Sequence, residues 1–517
     1  MLRTAPDLEV AIIGAGLGGI GAAIELRRAG IEQIAIFERA DDIGGTWNAN
    51  TYPGLTVDIP AHAYQFSYEL NPEWRRTYAS GSEVKAYVDH CAEKYEVRRL
   101  VRLDSEVAER QWDPANGWWR LTVNGEQVTA RWVISAVGAF INPKPIEIPG
   151  VERFGGELLR SADWDHSVEL TGKRIAIIGT GASAVQIVPI IAKQAARLDV
   201  YQRTAIWVGP KLDPPNPRPL RFLLRRVPAI ERLLYRSLSA VVEAGLIGIV
   251  VRHDRFGWVT RIGGWLGRNL WYRQIRDPTT RRKLTPDYEI GCKRPIVSNS
   301  YLRAFNRDNV ELVTAPIERI TERGVRTVDG DEREVDVLIC ATGFRVAGDP
   351  ANYRINPVRG RDGFDLAEHC ARNRATSYHS VSVRGLPNHF FIFGPYGWVG
   401  AAWHQLVESA SRHIIRVIEE AGRRQTPVVE VRRQLAEDWT ADAVSRLGRS
   451  LWHVGNCAGA RSYYFDHHGD TPFLRPTSAR RALADAANFP LDAYEYRGLA
   501  AAPEPAAAMA GNVEPDG

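Results

Sequence analysis

Twice in this chain an apolar strand runs into a glycine-rich turn that opens a helix. Gly14-Ala15-Gly16-Leu17-Gly18-Gly19 follows residues 10–13, and Gly179-Thr180-Gly181-Ala182-Ser183-Ala184 follows residues 175–178. A turn of this kind lets the backbone approach a pyrophosphate seated at the helix N-terminus, so each one demands half of a dinucleotide-binding domain around it. What ends the next strand differs between the two. Glu38 stands nineteen residues past Gly19 (38 − 19), and Arg203 stands nineteen past Ala184 (203 − 184). A carboxylate there accepts hydrogen bonds from a bare ribose, whereas a guanidinium suits a ribose carrying a 2′-phosphate. Either charge alone is explained equally well as a solvated strand end; the two together are not. The spacing therefore predicts FAD at the first turn and NADPH at the second, a flavin reduced by a nicotinamide within one polypeptide.

The 517 residues exceed one ordinary core, so two or three domains are expected. Charged residues make up 25% and hydrophobic ones 44%, the balance of a soluble globular protein. The net charge of +5 is too small to argue for a nucleic-acid partner, since cofactor phosphates already give local basic residues a use. The five cysteines, Cys91, Cys292, Cys340, Cys370 and Cys457, contain no Cys-x-x-Cys pair, and the spacing indicates neither a zinc site nor a redox disulfide. The first strand begins within about ten residues of the N-terminus, which leaves no room for a signal peptide. The longest apolar stretch, 238–251, is too short to span a bilayer and carries Glu243. A cytoplasmic enzyme is expected.

Along the chain the pattern predicts an α/β fold of two Rossmann-like dinucleotide-binding domains with a helical insertion. Residues 1–145 and 373–499 form the expected FAD domain, 151–212 and 289–372 the NADP domain, 213–288 the insertion and 500–517 a disordered tail rich in Ala, Pro and Glu. Strands at 99–103, 118–123 and 132–135 read as an antiparallel layer on the first unit. Within the insertion, apolar residues from Leu220 to Leu234 recur at helical spacing between arginines. We read this as an amphipathic helix packed on the second domain. The other reading is a basic helix, within 220–251, on a membrane surface. A long helix over 404–421 is predicted, its N-terminus facing the flavin.

Three further motifs carry a family resemblance. Gly44-Gly45-Thr46-Trp47, Tyr52-Pro53-Gly54 and Asp58 match every specified position of one signature. Phe154-Gly155-Gly156 with Trp164-Asp165 resembles a second. Cys292-Lys293-Arg294-Pro295 with Phe305-Asn306-Arg307-Asp308-Asn309-Val310 resembles a third. From about residue 10 to about residue 464, the chain resembles the type I Baeyer–Villiger monooxygenases of the class B flavin-containing monooxygenase superfamily. One position departs: Arg160 stands where the second signature has histidine, a linker position in the family.

The resemblance implies a reaction. Reduced FAD meets O2 to give a C4a-peroxyflavin, which attacks a ketone carbonyl, and the adduct rearranges to an ester or lactone. It also implies the residues: Arg294 and Asp58 as the catalytic pair, and Gly14, Gly16, Gly19, Glu38, Thr46, Trp47, Asp58, Tyr64 and Val107 for FAD. For NADPH it implies Thr56, the turn Gly179, Thr180, Gly181, Ala182, Ser183 and Ala184, then Arg203, Thr204, Lys293 and Arg294. Arginine suits the catalytic role because it stays charged at any working pH. The expected substrate is a small hydrophobic ketone with O2. A sulfur- or nitrogen-oxygenating flavin monooxygenase is the rival, favoured by Arg160, and a non-catalytic flavoprotein module is the remote one. Asp466-His467-His468-Gly469-Asp470 reads as a C-terminal loop rather than a metal site, because adjacent histidines rarely meet one ion.

Overall fold

The computed structural model describes residues 5–400 and 402–499; the tail expected at 500–517 lies outside them. The first glycine turn sits in a sheet whose parallel core is Leu8–Ile13 between Ile34–Phe37 and Glu126–Ser135. The last of these is a long strand with two jobs. Its C-terminal half lies parallel to Leu8–Ile13, while its N-terminal half is antiparallel to Trp118–Val123, which pairs in turn with Val107–Asp113. The antiparallel layer thus exists, but its outer strand is Val107–Asp113 and not 99–103. Val101–Arg102 instead extends the parallel edge beside Ile34–Phe37.

The second glycine turn belongs to a separate five-stranded, wholly parallel sheet. Its order is Val310–Val313, Arg197–Tyr201, Arg174–Ile178, Val337–Cys340 and Glu157–Arg160. Strands buried on both faces account for the continuous apolar runs Ile175–Ile178 and Val337–Cys340. The sheet ends sooner than the boundary at 372 supposed. Phe344–Val346 pairs with Phe140–Pro143, and Val358–Arg359 adds to Val107–Asp113 of the first sheet, so the chain has returned to the first domain by about residue 344. Leu366 and Ala367 pack there too, in one cluster with Ala11 and Ile13. The signs of the crossing are strands of three and two residues, too short to have a sequence period to read.

The long helix is Trp403–Arg424 and lies along the first-domain helix Leu17–Arg28. Its first turn starts beside Gly18, and no side chain caps it.

Residues 213–288 are helical: Arg218–Arg226, Pro228–Gly245 continuing as a π-helical stretch through Leu246–Val251, His253–Leu266 and Pro278–Leu284. One expectation fails here, and one apolar stretch is part of a longer helix than the sequence pattern marks. The helix from Pro228 to Val251 is 24 residues long and, by length and composition, apolar enough to cross a membrane, which the stretch 238–251 alone was not. Nor does most of the apolar stripe pack inward, since Leu223, Val227, Ile230 and Leu233 are exposed while Leu224 is buried. Periodicity shows that a helix has two unlike faces and is silent on which one turns inward.

Candidate active site

The two glycine turns take the same backbone path. Gly14 (φ +102°) and Gly179 (φ +118°) both sit in the left-handed half of conformational space, and a Cβ would fall 2.8 Å from Ala136 O in the first and 2.5 Å from Ala341 O in the second. Each turn is closed from below by the next strand: Gly14 N donates to Phe37 O (2.8 Å) and Gly179 N to Tyr201 O (3.1 Å). Above the second turn, the helix Ala182–Ile191 begins without a side-chain cap, and a Cβ on Gly181 would meet nothing within 4 Å. Its first amide groups therefore face open space, where a phosphate is accommodated. Thr180 ties this turn to the next loop through Oγ1 donating to Thr204 O (2.9 Å).

Glu38 is buried, and its carboxylate accepts from Ala15 N (2.7 Å) and Ala40 N (3.0 Å). The acid is thus held against the first turn, with lone pairs left for ribose hydroxyls. Ser105 N donates to Glu38 O (2.7 Å), which brings the segment leading into Val107 alongside. The second signature folds over the same place. Gly44 N donates to Ala15 O (3.0 Å), Thr46–Ala49 forms a helical turn, and Trp47 Nε1 donates to the Tyr64 hydroxyl (3.2 Å). Beyond Tyr64, at 4.8 Å between rings, lies His404 of the long helix, buried and with neither ring nitrogen hydrogen-bonded. An acid held against the turn, a glycine cradle and an uncapped helix fit a flavin dinucleotide.

The loop from Tyr52 to Asp58 leaves the first domain and docks on the second. Tyr52 Oη donates to Gln186 Oε1 (3.1 Å), and Gln186 Nε2 donates to Thr56 O (2.9 Å). Gly54 (φ +87°) makes this approach possible, since a Cβ would lie 2.7 Å from Gln186 O. Thr56 Oγ1 also accepts from Lys211 Nζ (2.9 Å), a cation that the sequence reading passed over. Burial lowers the pKa of Lys211.

Docked in this way, Asp58 meets Arg294. Nε donates to Oδ2 (2.5 Å) and Nη2 to Oδ1 (2.6 Å), a bidentate, partly buried pair. Desolvation opposes the charge on Arg294 and the Asp58 carboxylate overrides it, so its pKa lies well above the ordinary value. The guanidinium stands over the Trp398 ring at 5.7 Å. Trp398 stacks on Phe473 at 5.6 Å, and Phe473 meets Tyr463 and Tyr464.

Beside Arg294, Lys293 is pushed down to about 8 by desolvation and then by the charges of Arg203 and Arg461. Among the described residues, none of these three side chains makes a hydrogen bond or an ion pair. Three close cations without a counter-ion fit a phosphate. Arg461 was missed because it lies 258 positions from Arg203 (461 − 203), outside any motif. The cysteine spacing, which indicates no redox disulfide, also hides a long-range pairing. Cys292, next to Lys293, is disulfide-bonded to Cys457 across 165 residues, a separation that no local motif encodes. Trp452 Nε1 donating to Gly291 O (3.1 Å) fastens the same segment.

Arg160 ends its edge strand beside Cys340, and its side chain makes no hydrogen bond among the described residues. In the 466–470 loop, Asp466 accepts from His468 N and Asp470 N (2.9 Å each) and so braces its own turn.

Two nucleotide-binding folds facing one arginine–carboxylate pair define a flavin- and nicotinamide-dependent oxygenase. The comparisons agree. The pyridine nucleotide-disulphide oxidoreductase family matches residues 11–217. A Baeyer–Villiger monooxygenase of Pseudomonas aeruginosa is 37% identical over 91% of this chain and 86% of its own length. One of Streptomyces coelicolor is 35% identical over 98% and 96%. Among solved structures, OTEMO in complex with FAD and NADP superimposes with a TM-score of 0.83 at 26% identity, covering 95% of this chain and 100% of that one. This chain belongs to the Baeyer–Villiger monooxygenase family. It is an FAD-containing, NADPH-dependent monooxygenase that acts on a ketone with O2.

Proposed function

We propose that Asp58 and Arg294 are the catalytic pair, that Arg203, Lys293 and Arg461 receive the 2′-phosphate of NADPH, and that the substrate is a hydrophobic ketone. Glu38, Thr46, Trp47, Tyr64 and Val107 line the FAD site around Gly14, Gly16 and Gly19. Thr56, Thr204 and the turn from Gly179 to Ala184 line the NADPH site. The observation that carries this reading is the bidentate bond of Asp58 to Arg294.

Bound FAD, once reduced, supplies with O2 the oxygen atom that enters the ketone. Arg294 would meet the negative charge that this chemistry places on oxygen. A fixed guanidinium stabilises such charge more in the transition state than before it, because the cation needs no reorganisation. Asp58 engages Nε and Nη2, fixes the plane of the group and leaves Nη1 outside the pair. It also offsets the cost of partly desolvating the cation. The ring wall of Trp398, Phe473, Tyr463 and Tyr464 supports an apolar substrate: it excludes water and offers few groups to pair with polar substituents.

The test is mass-spectrometric product analysis over a panel of ketones and sulfides. Ketones gain one oxygen atom with the wild-type protein. Arg294→Ala still binds flavin and is reduced by NADPH, yet forms no ester. Ester formation at the wild-type rate in that variant overturns the assignment.

A further inference from the structure

Two helices of the insertion are built inside out. On Pro228–Gly245 the residues turned toward the protein are Glu231, Tyr235 and Ser239, one per turn. Glu231 is 2% exposed, its carboxylate held by His62 Nδ1 (3.0 Å) and Gln65 Nε2 (3.3 Å). The opposite face carries Ile230, Leu233 and Val241, and Leu233 and Val241 are 66% and 70% exposed. The next helix, His253–Leu266, repeats the inversion. It buries His253 and Thr260, whose side chains both reach Glu289, and it exposes Trp258, Ile262 and Trp265, spaced four and three apart on one face. A surface helix of a globular protein normally does the reverse. Burying a carboxylate while leaving two tryptophans in water costs free energy unless another apolar phase meets that face.

Charge says which phase. Residues 218–276 contain twelve arginines, no lysine and three carboxylates, a net charge of +9 (12 − 3) in a chain whose total is +5. Two of the three carboxylates point inward: Glu231 as described, and Glu243, which accepts from Ala479 N. Arg232 and Arg236 are exposed at the border of the Leu233 face, and Arg255 and Arg261 flank Trp258. A second copy of this chain would bring the same cations against these, with Asp254 and Glu73, which already pairs with Arg221 and Arg225, too few to answer them. An anionic bilayer surface complements all three features: apolar side chains enter the acyl boundary, tryptophans sit at the headgroup level, and arginines meet lipid phosphates.

From this we infer that residues 218–271 form a membrane-docking surface for anionic phospholipid, with the helices lying in the plane of the interface. The helix Pro228–Val251 has the length to cross, but its polar face is committed to the protein, so it lies on the bilayer and does not span it.

The experiment is flotation of the FAD-loaded full-length protein with vesicles of phosphatidylcholine alone or mixed with phosphatidylglycerol. Binding to the mixed vesicles is expected to be at least about tenfold stronger and to weaken sharply with salt. The exposed triple variant Leu233→Ser, Trp258→Ser, Trp265→Ser is expected to lose it while oxidising NADPH with a soluble ketone at the wild-type rate. No flotation of the wild-type protein overturns the inference, as does equal flotation of the triple variant. A dimer in sedimentation equilibrium that the triple variant abolishes also overturns it, because the occupant is then a second copy.

Discussion

Asp58 and Arg294, 236 positions apart, share two hydrogen bonds of 2.5 and 2.6 Å, and no others bind the Asp58 carboxylate among the described residues. The arginine is therefore aimed by one acid alone. Replacing Asp58 with alanine leaves the guanidinium charged but free to turn. Ketone oxygenation is expected to fall by about a hundred- to a thousandfold while the rate of flavin reduction changes little. Single-turnover absorbance of the flavin separates the two steps. A variant that loses both equally shows that Asp58 serves binding, not orientation.

Arg203→Ala removes one of three cations from the proposed phosphate site. The loss of a charge-assisted contact of about 1.5–3 kcal/mol raises the KM for NADPH by roughly ten- to a hundredfold. The KM for NADH, which has no phosphate there, is expected to stay nearly constant. Equal effects on both coenzymes contradict the assignment.

Lys293 titrates near 8, below the ordinary lysine value of ~10.4. Its charge therefore costs folding stability in full below about pH 8, and that cost is relieved as pH rises toward the unfolded value. Coenzyme binding runs the other way, because the phosphate needs the cation. The KM for NADPH is expected to climb above about pH 8, and Arg461→Ala, by removing a neighbouring charge, moves the climb to higher pH. Steady-state kinetics between about pH 7 and pH 10 reads this directly, and a KM that is flat across that span speaks against the role of Lys293.

The disulfide between Cys292 and Cys457 closes a 165-residue loop. In the chain-entropy account such a link contributes about 5 kcal/mol. Cys457→Ser is expected to lower the melting temperature by several degrees, and a dithiol reductant is expected to do the same to the wild-type protein and nothing further to the variant. Reductant that lowers both alike acts elsewhere.

What the sequence reveals and what it hides divide along a physical line. Gly14, Glu38, Gly179 and Arg203 are legible because turn, strand and acceptor are fixed within one βαβ unit, where spacing is geometry. Asp58 and Arg294 are legible only through the resemblance, since no local rule joins residues so far apart. Arg461 and the partner of Cys292 lie beyond both kinds of signal: they reach the site through the C-terminal segment's path over the second domain. The insertion fails differently. Its period is a correct helical period, but a moment has the same size whether the apolar side faces the core or the water. Only the buried contacts of Glu231 and Thr260 decide it.

Gln186 has a consequence of its own. It belongs to the helix that opens at the second glycine turn, yet its amide grips Tyr52 and Thr56 on either side of Gly54, four residues before Asp58. The acid that aims Arg294, the arginine proposed as catalytic, is thus bolted to the second glycine-turn half of the molecule. Any movement of that half against the first would carry Asp58 with it, so the orientation of the guanidinium and the position of the nucleotide fold would be set through one shared contact.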